Sequence, residues 1–112
     1  MTSWTNIWES KTARFTVACD VAPEDFSPRD HFDVDTAAEI EAGHFDWFQV
    51  RVRVLLDHRF EIGVDYLGGC CYRNATDFVD SEHRDGYFRD MVRAAIADAR
   101  AHLRKYPILR AA

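Results

Sequence analysis

The chain has little of what cross-links, breaks or anchors a small protein. Three prolines and five glycines among 112 residues are too few for a collagenous or low-complexity segment. Its three cysteines, Cys19, Cys70 and Cys71, leave one over in any disulfide scheme. Adjacent Cys70 and Cys71 have Cα atoms only about 3.8 Å apart, below the usual disulfide range, so a bond between them would be strained. Reduced thiols filling space beside a glycine pair are the expectation. No apolar run approaches the roughly 18–20 residues that a membrane helix requires. Residues 1–11 lack the basic start and apolar stretch of a secretory signal, so a cytoplasmic, non-membrane protein is expected.

What is present is enough for one folded domain. At 47% hydrophobic and 13% aromatic residues the chain is not disordered as a whole. A domain of this length buries roughly 65% of its unfolded surface without needing disulfides or metals. We expect residues 1–112 to form a single domain, with residues 1–11 a loosely attached segment that gains by burying Trp4 and Trp8. Those two rings, four apart, suit either one helical turn or a strand that docks them.

The clearest structural signal runs from Phe45 to Leu67. Phe48, Val50, Val52, Val54 and Leu56 alternate with Trp47, Gln49, Arg51, Arg53 and Leu55. After Asp57-His58-Arg59 the alternation resumes with Phe60, Ile62, Val64 and Tyr66. This is a β-hairpin with one face on a core and one in water. Pairing Leu56 with Phe60 puts Val54 by Ile62, Val52 by Val64 and Val50 by Tyr66, with Arg51 beside Asp65 on the wet face. A register with Val54 opposite Gly63 mixes the faces and is excluded by the period. A three-residue loop wants a left-handed residue at its end, which Arg59 supplies poorly.

Around the hairpin, Thr12–Asp20 alternates as a first strand, and Val21–Asp33 reads as an irregular acidic loop with Pro23 and Pro28. Asp33 or Asp35 caps a short helix ending at Glu41 before Gly43. Thr76–Val79 suits one helical turn. Phe88, Met91, Val92, Ala95, Ile96, Ala99 and Leu103 recur at three and four, the stripe of a helix lying on a sheet. Asp85 is its expected cap, and Pro107 ends it near Tyr106. The fold class is therefore α+β: a three-stranded antiparallel sheet, a long C-terminal helix across one face, and a short helix in the acidic loop.

Motifs for chemistry are scarce. The histidines at 31, 44, 58, 83 and 102 fall in no zinc spacing, and no phosphate-binding glycine loop is present. No metal and no cofactor are expected. Cys70 or Cys71 after Gly68-Gly69 is the one glycine-cradled nucleophile, with His44, His58 or His83 as its base; a small thiol enzyme or redox protein is thus the alternative function. Arg51 and Arg53 on a wet strand face are ordinary solubilising residues in an acidic chain, so no direct nucleic-acid binding is expected. The formal net charge is −5, but it is unevenly spread. Residues 20–46 hold nine acids against Arg29 alone, a net −8, and residues 89–112 hold six bases against Asp90 and Asp98, a net +4. Such a split can steer charged partners to one side, and a dense carboxylate surface can fill a groove that evolved for phosphates.

The hairpin, the Tyr66-Leu67-Gly68-Gly69-Cys70-Cys71-Tyr72 junction and the helix start Gly86-Tyr87-Phe88-Arg89-Asp90-Met91-Val92 resemble a loose group of small acidic accessory proteins of phages, plasmids and other mobile elements. The resemblance covers about residues 45–103 and carries no catalytic motif. It implies an accessory gene product of a mobile element, many of which are single-domain inhibitors of host defence. The expected function is a non-enzymatic, anti-CRISPR-like inhibitor in a bacterial host cell, with a CRISPR effector or another nucleic-acid-binding complex as its protein partner. Asp30, Asp33, Asp35, Glu39 and Glu41 are the expected partner-binding residues, with Trp47 as an aromatic anchor. An antitoxin-like module or scaffold that dimerises through an open sheet edge is the third reading.

Overall fold

A computed structural model describes residues 2–80 and 86–106. The chain is α+β, as the patterns imply, but its antiparallel sheet has four strands in the order β1-β2-β3-β4. These are β1 (Thr5–Lys11), β2 (Phe15–Pro23), β3 (Asp46–Leu56) and β4 (Phe60–Tyr72), joined as a meander. Between β2 and β3 lie a 3-10 turn, Pro28–Asp30, and helix α1 (Val34–Glu41); after β4 come a second 3-10 turn, Ala75–Val79, and helix α2 (Tyr87–Lys105).

The fourth strand is the correction to a three-stranded reading. The N-terminal segment pairs along β2, with Asn6 opposite Asp20 and Trp8 opposite Cys19. A bulge at Ile7 separates those pairs, and one extra residue turns every later side chain over. Trp4 and Trp8 consequently leave opposite faces. Trp8 meets Phe88 of α2 edge to face at 5.0 Å, and Trp4 lies under the Arg51 guanidinium at 4.4 Å. A spacing of four looks helical in sequence; here it is a strand with an irregularity.

Strand β3 keeps its period throughout, buried and half-buried residues alternating from Trp47 to Leu56. Its partner does not. Leu56 faces Phe60 and Leu55 faces Glu61, but Val54 then faces Gly63, Val52 faces Asp65 and Val50 faces Leu67. The excluded register is reached through a bulge: Ile62 and Gly63 are both buried, so two successive residues serve the core side. Val64 moves to the far face, and Leu67 joins the rim of the core in its place. A second shift, between Phe48 and Val50, falls at Gly68-Gly69, where Gly69 is left-handed at φ 68°. At the hairpin tip the left-handed residues are Asp57 and His58, at φ 53° and 62°. Arg59 N–H closes the turn on Leu56 O at 3.2 Å. Two successive left-handed residues match the twist of the strands, so Arg59 needs no unusual backbone.

The core lies between α2 and one face of the sheet. Val50 and Val52 are fully buried there with Cys19, joined by Phe48, Ile62, Phe78, Met91, Ala95 and Ala99. The helix can sit this low because Gly63 lacks a side chain. A Cβ at that position would stand 2.7 Å from Ala99 N and 2.8 Å from Ala99 Cβ, and closer still to Ala95 O. Helix α2 starts at Gly86, left-handed at φ 90°; Asp85 and Pro107, its expected ends, lie outside the described residues. Gly63→Ala should therefore destabilise the chain by about 2–3 kcal/mol through overpacking. Urea unfolding checks this, and a change below about 0.5 kcal/mol would show that α2 is not seated on Gly63.

Candidate functional site

Nine acids crowd residues 20–46, and the fold gives them unequal tasks. Asp20 is 2% exposed on the face of the sheet away from α2. Its Oδ2 accepts from Arg51 Nε at 2.8 Å and Arg53 Nε at 3.0 Å, and its Oδ1 from Asn6 Nδ2 at 3.0 Å. The partner of Arg51 is thus Asp20, not Asp65. The bulge has carried Asp65 to the other side, opposite Val52. Burial by itself would raise the Asp20 pKa, yet the hydrogen bonds from Asn6 and Arg51 and the charges of Arg53 and Arg51 bring it below the usual carboxylate value.

Four more carboxylates of the block hold backbone or side chains in place. Glu24 Oε2 accepts from Gly69 N at 2.7 Å, pinning the glycine bulge. Asp33 caps α1 by accepting from Thr36 N at 2.9 Å, and this bond lowers its pKa. Glu41 receives a two-pronged pair from Arg29, at 2.8 and 2.9 Å, which ties the first 3-10 turn to the end of α1. Asp46 accepts from Ala75 N at 2.7 Å.

That leaves Asp25, Asp30, Asp35 and Glu39, all exposed. Among the described residues no side chain pairs with their carboxylates. Asp35 and Glu39 are one helical turn apart and share a face of α1. In the same segment Val34 is 72% exposed and Phe26 41%, two apolar side chains the charge count gave no reason to single out. Trp47 is half-buried and already engaged: its Nε1 donates to Phe26 O at 2.8 Å. Its ring packs against Phe26, Phe32 and His31 with centroids 5.2, 5.4 and 5.8 Å away. It anchors the acidic segment to the sheet, and Phe26 and Val34 are what that segment shows to solvent. An open hollow of about 330 Å3 lined by Glu39, His44, Phe45 and Arg73 borders the C-terminal end of α1.

Of the candidate bases, His58 does not meet the cysteines. Cys70 is buried opposite Phe48, whereas His58 is at the hairpin tip beyond Leu56, about 25 Å along the strand. His58 Nδ1 lies 2.8 Å from Thr16 Oγ1. Desolvation raises the Cys71 pKa and, with Asp20 and Cys70 nearby, pushes Cys19 up to about 12. His83 lies outside the described residues. No three His, Cys, Asp or Glu side chains among those described group closely enough to hold a metal ion, and no helix among them is long and apolar enough to cross a membrane.

No protein-family model matches the chain, and searches of curated proteins and of solved structures likewise find no match.

Three outcomes follow from the site. Asp20→Asn, which leaves two inward-turned guanidiniums without their anion, should cost about 2–4 kcal/mol. The native chain should lose stability as pH falls from the unfolded carboxylate value near 4 through the lower folded pKa of Asp20, because protons then favour the unfolded state. Urea midpoints measured between neutral and acid pH should show a shallower decline in Asp20→Asn; parallel curves would remove Asp20 as the cause. Native thiols should also resist iodoacetamide near neutral pH, Cys19 reacting only on unfolding, and fast labelling of Cys19 in the folded chain would contradict its burial.

Proposed function

We propose that the chain is a non-enzymatic binding protein that inhibits a nucleic-acid-handling defence complex by laying carboxylates on its basic surface, in the manner of an anti-CRISPR protein. The supporting observation is the division of the acidic block. Five carboxylates are spent on the fold, whereas Asp25, Asp30, Asp35 and Glu39 stay exposed and without an ion-pair partner among the described residues, in the same segment as exposed Val34 and Phe26. A segment that shows both apolar and charged side chains to solvent has the make-up of a binding surface, the apolar contacts supplying affinity and the charges orientation and speed. The same segment is held at both ends, by Trp47 on Phe26 O and by Arg29 on Glu41, so little ordering entropy is lost on binding. Asp33 and Glu41 contribute mainly by fixing α1, and Trp47 by fixing the loop.

The test is capture of the target from a bacterial lysate on immobilised chain, followed by calorimetry with the purified complex. Binding should weaken steeply between low and high salt. The triple charge reversal Asp30→Lys, Asp35→Lys, Glu39→Lys should abolish both binding and inhibition, whereas Glu61→Lys on β4 leaves them intact. Affinity indifferent to salt, or inhibition that survives the triple reversal, would refute the carboxylate mechanism.

A further inference from the structure

Helix α2 covers the sheet unevenly. It seats on Gly63 of β4 and leaves the β2 side of the same apolar face partly open. An apolar groove of about 370 Å3 runs there, walled by Phe15 and Val17 of β2, Val54 of β3, and Ile96 and Leu103 of α2, with Arg100 on its lining and no carboxylate. Helix geometry places more positive charge along this border. At about 100° per residue, Arg89, Arg93, Arg100 and Arg104 fall within an arc of about 60° and span about 22 Å of the axis. The arc adjoins Ile96 and Leu103. The opposite flank carries Asp98, whose Oδ2 accepts from Val64 N of β4 at 3.0 Å.

All four arginines are exposed. Arg93 approaches Asp90 at 3.9 Å with both side chains more than two-thirds in solvent, a pair worth little. Among the described residues Arg89, Arg100 and Arg104 have neither an ion-pair nor a hydrogen-bond partner. On a chain of net charge −5, a row of guanidiniums without acids between them is a local inversion of sign.

We propose that the groove and its arginine border dock an acidic amphipathic segment of a partner protein. Apolar side chains seat between β2 and Leu103, and carboxylates meet the four arginines, whose planar forks suit bidentate pairing. The apolar walls separate this ligand from a nucleic acid, whose backbone offers phosphate and sugar but nothing to fill the groove. The concave shape separates it from a lipid surface. An acidic peptide satisfies both halves at once, the arrangement by which an amphipathic helix lies in an apolar groove. This surface is independent of the carboxylates around α1.

Fluorescence anisotropy with the full chain at low salt tests it, using a labelled synthetic peptide of Glu, Leu and Ala in helical register. Saturable binding is expected, weakened at least about tenfold by the double variant Arg100→Glu, Arg104→Glu. Replacing the leucines of the peptide by alanine should weaken it similarly, and Arg59→Glu at the hairpin tip should not. If the first double variant melts early, Arg89→Glu with Arg93→Glu reads out the same border. Three results would overturn the proposal: no saturable binding; oligothymidine of equal charge binding as tightly, with the leucines of the peptide irrelevant; or self-association of the chain that the peptide displaces, which assigns the groove to a second copy.

Discussion

The contact between Gly63 and the Ala95–Ala99 turn of α2 governs the rest of the molecule. A helix normally stands off a sheet by the depth of its side chains. Here one missing Cβ on β4 and two alanines on α2 bring backbone against backbone. That close approach fixes α2 toward the β4 edge, where Asp98 caps the N–H of Val64. Two consequences follow from one placement. The N–H of Val64, on an edge strand, is occupied by a side chain of the same protein, which disfavours pairing with another chain there. The β2 side of the apolar face, by the same displacement, is left only partly covered.

The face of the sheet away from α2 is closed over β2 by charged side chains. Thr16, Ala18, Asp20 and Ala22 of β2 are all buried on it, although three of the four are small. Arg51 and Arg53 converge on Asp20, and Trp4 stacks on Arg51. Arginine stems can cover apolar surface while their heads stay wet. A buried carboxylate shared by two cations is no strong source of stability against an apolar substitute. Its effect is to hold β1, β2 and β3 in one register, because Asn6, Asp20 and Arg51 belong to three different strands.

How much of this was readable from residues alone depended on whether the signal was local. Strand β3 was, because each buried valine sits two from the next. The cap at Asp33 was, because the capping bond spans three residues. The stripe of α2 was, because seven apolar positions repeat at one period. What escaped were the places where one extra residue enters a strand: Ile7, Ile62 and the Gly68-Gly69 pair. A bulge is chosen by tertiary packing, and Ile62-Gly63 carries no mark of it until α2 is laid on top. The misassigned partner of Arg51 is the direct result, since shifting β4 by one residue exchanges Asp65 for Tyr66 beside it. The acidic block was visible as a charge count, but counting could not separate the carboxylates that fold the chain from those that face outward. Beyond the Asp33 cap, that separation needs the positions of Gly69, Arg29 and Ala75, which lie 45, 12 and 29 residues from their carboxylates.

Separating the two charged surfaces matters for how the chain behaves as a whole. If the arginines of α2 answered the carboxylates near α1 internally, the charge asymmetry would be only a folding device. The pairs that do form argue otherwise. Glu41 takes Arg29 from its own segment and Asp20 takes Arg51 and Arg53 from the neighbouring strand, while among the described residues no ion pair joins α2 to residues 24–46. Each surface therefore keeps its own field, screened from the other over more than about 10 Å at ordinary ionic strength. A chain built this way can meet a basic partner at one place and an acidic one at another. Net charge, which averages the two, is then a poor guide to what it binds.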